Sequence, residues 1–168
     1  MMIRIRNYKE KDADEVGRLI ADTYAEFNLA FASPEDRNLM LGPFRYARSA
    51  DEKHQAAIAE VLRSPVILVA ETGGEVVGIL RGRKERLASL FVHKKQHHQG
   101  IGRRLVGAFE AEMLVQGVSV IRLAATLHAV PFYSRLGYKK STGVRTGWSF
   151  DGYGFPYQPM KKMLRQEL

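Results

Sequence analysis

Leu90-Phe91-Val92-His93-Lys94-Lys95-Gln96-His97-His98-Gln99-Gly100-Ile101-Gly102-Arg103-Arg104-Leu105 is the stretch on which the fold of this chain turns. An apolar run ends at Val92, a polar loop with two glycines follows, and Ile101, Leu105, Ala108, Phe109 and Met113 then recur at helical spacing. That order reads as strand, loop and helix. The first N–H groups of such a helix have no partner within it and converge, with the positive end of the helix dipole, on a point where an anion can sit. Glycine suits the loop because a Cβ would hold a phosphate away from the backbone. The same pattern also suits a tight turn with close helix packing. Two nucleotide patterns do not fit: no Lys-Ser/Thr follows the glycines, and Leu105 stands where the dinucleotide fingerprint has its third glycine.

Upstream, residues 87–92 read as an apolar strand, and residues 66–70 and 76–80 form a hairpin through Thr72-Gly73-Gly74-Glu75. A helix over about 51–62 carries Ala57, Ile58, Val61 and Leu62 and stops at Pro65. Residues 28–50, broken by Pro34, Gly42 and Pro43, show no clear period. Asp12 and Glu15 read as a capping box opening a first helix, striped by Val16, Leu19, Ile20, Thr23 and Phe27. Ile3 and Ile5 alternate with Arg4 and Arg6 as a short strand. Downstream, Gly117 closes the helix of 100–116, residues 118–125 form a strand, and Pro131 opens a short helix ending at Gly137. The aromatic-rich segments 138–150 and 157–164 read as a closing pair of strands. Hairpins beside crossover helices predict an α/β chain with a mixed sheet and helices on both faces.

The 168 residues, 45% hydrophobic and 26% charged, suit one domain over 1–168 with its own core. The longest apolar stretch near the middle, 65–70, falls far short of the roughly 20 residues that span a bilayer. The N-terminus has no apolar run of signal length, so a cytoplasmic location without a membrane partner is expected. Lack of cysteine agrees with that compartment and excludes disulfide scaffolds, thiolate metal sites and a cysteine nucleophile. The net charge of +8 is one-sided: residues 85–168 hold 13 Lys and Arg against 5 Asp and Glu, while residues 1–84 are balanced. Such an excess points to a specific anionic ligand. No basic stripe with interleaved stacking aromatics is evident, so nucleic acid is the weaker reading of it.

A second motif lies downstream: Ala125-Thr126-Leu127-His128-Ala129-Val130-Pro131-Phe132-Tyr133-Ser134-Arg135-Leu136-Gly137-Tyr138. Together the two stretches resemble the signatures of the GNAT family of N-acetyltransferases. The first is Arg/Gln-x-x-Gly-x-Gly/Ala after a strand, and Val92 and Leu90 stand at its apolar strand positions. The second is Ala-Ser-x-Asn-Ala-x-x-Phe-Tyr-x-x-x-Gly-Phe/Tyr. His97 replaces Arg/Gln, Thr126 replaces Ser and His128 replaces Asn. The element order is similar over nearly the whole chain, least so over 28–63. The resemblance implies the GNAT-type acyl-CoA N-acyltransferase fold, a mostly antiparallel central sheet splayed at the cofactor cleft.

It also implies acetyl-CoA as cosubstrate, held along the strand by Leu90, Phe91 and Val92. His97, His98, Gln99, Gly100, Ile101, Gly102, Arg103 and Arg104 would surround the pyrophosphate, with Thr126 and Tyr133 across the cleft. Tyr133 matches the family tyrosine facing the thioester sulfur. A free tyrosine at about 10 against a thiol at about 8.5 makes complete proton transfer uphill by about 2 kcal/mol, so a donated hydrogen bond is expected. Without cysteine, a primary amine would attack directly in a ternary complex, and a base or water chain must take its proton. Glu85 is one candidate base, one register away from a glutamate that some relatives keep, with Arg86 in the matching place. His128 is another, and Glu26 and Asp22 on the first helix could serve or could simply be solvated. Acceptor contacts are expected from Glu26, Phe27, Phe31, Trp148 and Phe150, and such rings suit a homodimer interface equally. His93, His97 and His98 lack a carboxylate at ligand spacing, so no metal is expected. A rival reading keeps the fold as an acyl-CoA-binding regulatory module without turnover, and the identity of the amine stays open.

Overall fold

The computed structural model describes residues 2–165; Met1 and residues 166–168 of the expected 1–168 domain lie outside the described residues. Strands form where apolar residues alternate or run continuously: β1 (Arg4–Asn7), β2 (Val66–Thr72), β3 (Glu75–Arg83), β4 (Arg86–Val92), β5 (Val120–Thr126), β6 (Lys139–Lys140), β7 (Arg145–Ser149) and β8 (Gly152–Met163). They make one sheet in the order β1-β2-β3-β4-β5-β8-β6, with β7 also on β8. The β2–β3 hairpin turns on Gly73 and Gly74, both at positive φ, the twist that two-residue hairpins need.

Two apolar layers hold the sheet. Helices α4 (Ile101–Val115) and α5 (Val130–Arg135) lie on one face over Leu80, Leu87, Leu123 and Met160, into which Leu105, Phe109 and Met113 pack. On the other face α1 (Ala13–Thr23) and α3 (Glu52–Val61) bury Val16, Ile20 and Ile58 against Val69, Ile79 and Phe91. The expected mixed sheet with helices on both faces is therefore what forms. All its pairings are antiparallel except β4–β5, which holds only at Arg86↔Arg122 and Leu87↔Leu123. Beyond Leu87, β4 stays with β3 and β5 with β8, so the sheet opens as a wedge. A bulge marks the parting: Gly82 faces Leu87 but Arg81 faces Ser89, which leaves Ala88 unopposed.

Several local expectations are corrected. The capping box does not form, because Arg6 draws the Asp12 carboxylate away with two hydrogen bonds of 2.8 and 2.9 Å, and Glu15 instead accepts from the Val76 amide. The first helix stops at Thr23 and widens into a π turn over Tyr24–Asn28, which swings Phe27 off the buried stripe to a half-buried position. Residues 28–50 hold α2 (Pro34–Leu41), capped by Ser33 accepting from the Asp36 amide at 3.2 Å. The two closing segments are three strands, since β8 begins at Gly152 and pairs with β5, β6 and β7 in turn. Among the described residues no helix is long and apolar enough to cross a membrane.

Arg6 also bonds Glu71 at 3.0 Å, and its side chain and that of Asp12 are only 12% and 6% exposed. The guanidinium holds the Asp12 carboxyl below its ordinary range. Arg6→Ala should therefore cost roughly 3 kcal/mol by stranding a buried carboxylate. Because a depressed carboxyl stabilises the fold above the unfolded value of about 3.9 and ceases to as pH falls through the folded value, the deficit should be full at neutral pH. Urea denaturation of both proteins at neutral and acid pH reads it, with the gap narrowing in acid.

Candidate active site

The wedge between β4 and β5 encloses a cavity of about 940 Å³. One wall is backbone. The His93 amide donates to Val77 on β3 at 2.8 Å, so the alternation of an antiparallel ladder turns the peptide groups of Val92 and Leu90 the opposite way, into the wedge. The Val92 carbonyl is already taken: His97 Nε2 donates to it at 2.8 Å, and the ring packs against Phe27 with centroids 5.0 Å apart. The amides of Leu90 and Val92 and the Leu90 carbonyl remain for a ligand. Ser89 Oγ and Gln96 Oε1, also at the cavity, are buried without a hydrogen-bond partner among the described residues.

At the mouth, α4 starts without a side-chain cap. Its first internally bonded amide is Arg104, on the Gly100 carbonyl at 3.0 Å, which leaves the N–H groups of Ile101, Gly102 and Arg103 free of intrahelical partners. Gly100 sits at φ +79, and a Cβ there would meet nothing within 4 Å, so the residue is required by conformation. A Cβ on Gly102 would come within 3.1 Å of the Phe132 ring. The expectation that both glycines clear room for a phosphate thus gives way at Gly102 to helix packing.

Across the wedge, α5 presents Tyr133. Its ring is buried and held edge-on by Phe132 and Tyr138, with centroids at 5.0 and 5.7 Å. Tyr138 is anchored in turn, donating to Glu110 at 3.0 Å, and Lys162 bonds the same carboxylate at 2.9 Å. Burial pushes the Tyr133 hydroxyl well above the ordinary phenol value, so it stays protonated. The cavity is also walled by Tyr24 and Phe27 from the π turn after α1, and by Trp148, Phe155 and Tyr157 from β7 and β8. Tyr24 is locked in place: its hydroxyl bonds Ser149, which donates to the Met40 carbonyl at 2.8 Å.

Of the residues expected from sequence, Leu90, Phe91, Val92, His97, His98, Gly100, Ile101, Gly102, Arg103, Thr126, His128, Tyr133, Phe27 and Trp148 line this cavity. Six do not. Arg104 bends back to the Ile3 carbonyl at 2.8 Å, and Gln99 reaches the Lys95 carbonyl. Glu85 occupies the β3–β4 turn at φ +69, exposed and outside the wedge. Glu26 faces Lys94 at 3.6 Å in a neighbouring hollow. Phe31 packs on Phe155, and Phe150, in the β7–β8 turn, packs on Phe44. Tyr24 was missed by sequence reasoning; an aromatic one turn before Phe27 was the available signal.

Among the described residues, no Asp or Glu lines the cavity, whereas Arg86, Arg103 and Arg135 do. Burial and the neighbouring His97 hold the His128 imidazole below its ordinary value, hence neutral at pH 7. The His97 and His98 rings stand perpendicular, 6.4 Å apart. Among the described residues no group of three or more His, Cys, Asp or Glu is placed to hold a metal.

Residues 43–164 match the family model described as the acetyltransferase (GNAT) domain. No curated protein sequence matches the chain. Similar solved structures include a GCN5-related N-acetyltransferase of Rhodopseudomonas palustris, at 22% identity and TM-score 0.79 over 98% of this chain and 97% of that one. PaiA N-acetyltransferase of Thermoplasma acidophilum, solved in complex with coenzyme A, is 20% identical at TM-score 0.72 over 98% and 100%. YncA of Salmonella typhimurium, solved with its cofactor acetyl-CoA, is 17% identical at TM-score 0.64 over 100% and 97%. These likenesses show a shared fold.

Proposed function

Because the chain belongs to the GNAT acetyltransferase family, we propose that it transfers an acetyl group from acetyl-CoA to a primary amine by direct attack in a ternary complex. One observation carries the reading: the wedge sets unpaired strand amides, a free helix N-terminus and a buried tyrosine hydroxyl around one cavity. Those groups fit the cosubstrate. The amides of Leu90 and Val92 and the Leu90 carbonyl suit the amide-bearing pantetheine arm. The N–H groups of Ile101, Gly102 and Arg103, with the Arg103 side chain, suit the pyrophosphate. The cosubstrate brings an acetyl thioester, whose C–S bond breaks as the amine nitrogen bonds the acetyl carbon.

A strand amide facing the thioester oxygen stabilises the charge that develops there. Tyr133 donates a hydrogen bond to the departing sulfur, and its raised pKa favours donation over full transfer. His128, neutral and at the cavity, takes the amine proton directly or through water; Glu85 is too far out in its turn to serve. The logarithm of kcat/KM should then fall on the acid side with a midpoint below the ordinary histidine value of about 6.5. His128→Ala should remove that limb from the pH profile. A profile unchanged by the substitution would exclude His128 as the base.

The reading is tested by thiol release from acetyl-CoA across a panel of amines. Amine-dependent release is expected. Binding of acetyl-CoA with no release for any amine would favour a regulatory module without turnover.

A further inference from the structure

Five basic residues stand side by side on the sheet face that carries α1 and α3, beyond the area these helices cover. The register pairs Arg83 with Arg86, Arg86 with Arg122, Arg122 with Lys161, and Lys161 with Lys139, one residue from each of β3, β4, β5, β8 and β6. Their chain neighbours Leu87, Leu123, Met160 and Tyr138 all enter the core beneath α4 and α5, which turns the row to the opposite face. Arg86 is half-buried and the other four are exposed. Among the described residues none of the five side chains makes a hydrogen bond or ion pair. Among the described residues Glu85, the adjacent carboxylate in the chain, makes no ion pair either.

Like charges directly opposite each other on a sheet repel, and here four such pairs follow in succession. Folding alone does not reward that arrangement. Strands about 4.8 Å apart give the row a length of about 19 Å. It runs past the foot of the wedge, since Arg86 also lines the cavity, which itself presents no carboxylate among the described residues.

We propose that this row docks an acidic stretch of a polypeptide whose primary amine enters the wedge. The proposal rests on the acetyl-transfer reading and adds the class of acceptor to it. An extended peptide shows same-side residues about every 6.8 Å, so three or four Asp or Glu side chains match the row. A polypeptide fits better than RNA on two counts. The row contains no aromatic ring on which bases could stack. Polypeptides also carry alkyl amines, whereas the exocyclic amines of nucleobases are weak nucleophiles. A polycationic acceptor would be repelled by the same field.

The test compares the full chain with its Arg122→Gln/Lys161→Gln variant, two exposed positions away from the cavity. Fluorescence anisotropy is read with a labelled peptide alternating Glu and Ser around one Lys, and with a mixed-sequence RNA. The peptide should bind, more weakly as salt rises, and the variant should lose at least about tenfold in affinity. KM for acetylation of the peptide should rise in the variant, while KM for a small uncharged-bodied amine and the thermal response to acetyl-CoA stay put. Tighter binding of RNA than peptide, equal peptide affinity in the variant, or no peptide binding by a protein that still binds acetyl-CoA would each overturn the proposal. Failure to bind acetyl-CoA would instead overturn the transfer reading.

Discussion

Tyr133→Phe should lower kcat by more than tenfold while leaving acetyl-CoA affinity nearly unchanged. The hydroxyl sits in a buried setting that holds it protonated, at a cavity where charge must appear on a departing sulfur. A hydrogen bond to a charged group contributes about 1.5–3 kcal/mol, and about 1.4 kcal/mol is a factor of ten in rate. The bond strengthens as sulfur gains charge, so its loss belongs to the transition state and not to binding. The ring itself, wedged between Phe132 and Tyr138, is kept by the substitution, and the fold should be undisturbed. Steady-state kinetics beside a binding isotherm checks this, and an unchanged kcat would remove Tyr133 from the mechanism.

Gly100→Val should do the reverse, weakening acetyl-CoA by at least about tenfold through the loop that presents the α4 amides. No atom blocks a side chain at this position, but φ +79 is left-handed and a β-branched residue adopts it only at a cost of about 1–2 kcal/mol. The loop must shift to relieve the strain, and the amides of Ile101, Gly102 and Arg103 shift with it. Gly100→Asn, tolerant of left-handed backbone, should retain most of the affinity. Calorimetric titration with acetyl-CoA distinguishes the two. Equal binding by the Val variant would show that the helix N-terminus does not hold the pyrophosphate.

How much of this was legible in the sequence depended on whether the signal was local. The Gly73-Gly74 turn, the glycine loop and the short helix bearing Tyr133 each announce themselves within a few residues, and they form as read. The wedge was implied only by the resemblance, since two pairings between β4 and β5 are a matter of register. Helix α2 had a start signal in Ser33-Pro34-Glu35-Asp36 but no apolar stripe to follow it, because it buries only Met40 and Leu41. Glu85 stays out of the site because it forms the turn between β3 and β4, and Tyr24 enters it because the π turn over Tyr24–Asn28 breaks the regular helical spacing. The basic row was invisible for the same reason as the wedge. Its five members come from five strands, and although four of them lie within residues 85–168, the charge excess there says nothing of their arrangement.

If the wedge holds acetyl-CoA, that ligand must raise the melting temperature of the protein. At about 100 times its dissociation constant a ligand adds roughly 2.7 kcal/mol of stability. For a chain of this size, that is a rise on the order of 5–10 °C. Such a rise is expected with acetyl-CoA and with CoA, diminished in Gly100→Val and preserved in Tyr133→Phe. No rise with acetyl-CoA, CoA or any longer acyl-CoA would contradict that binding.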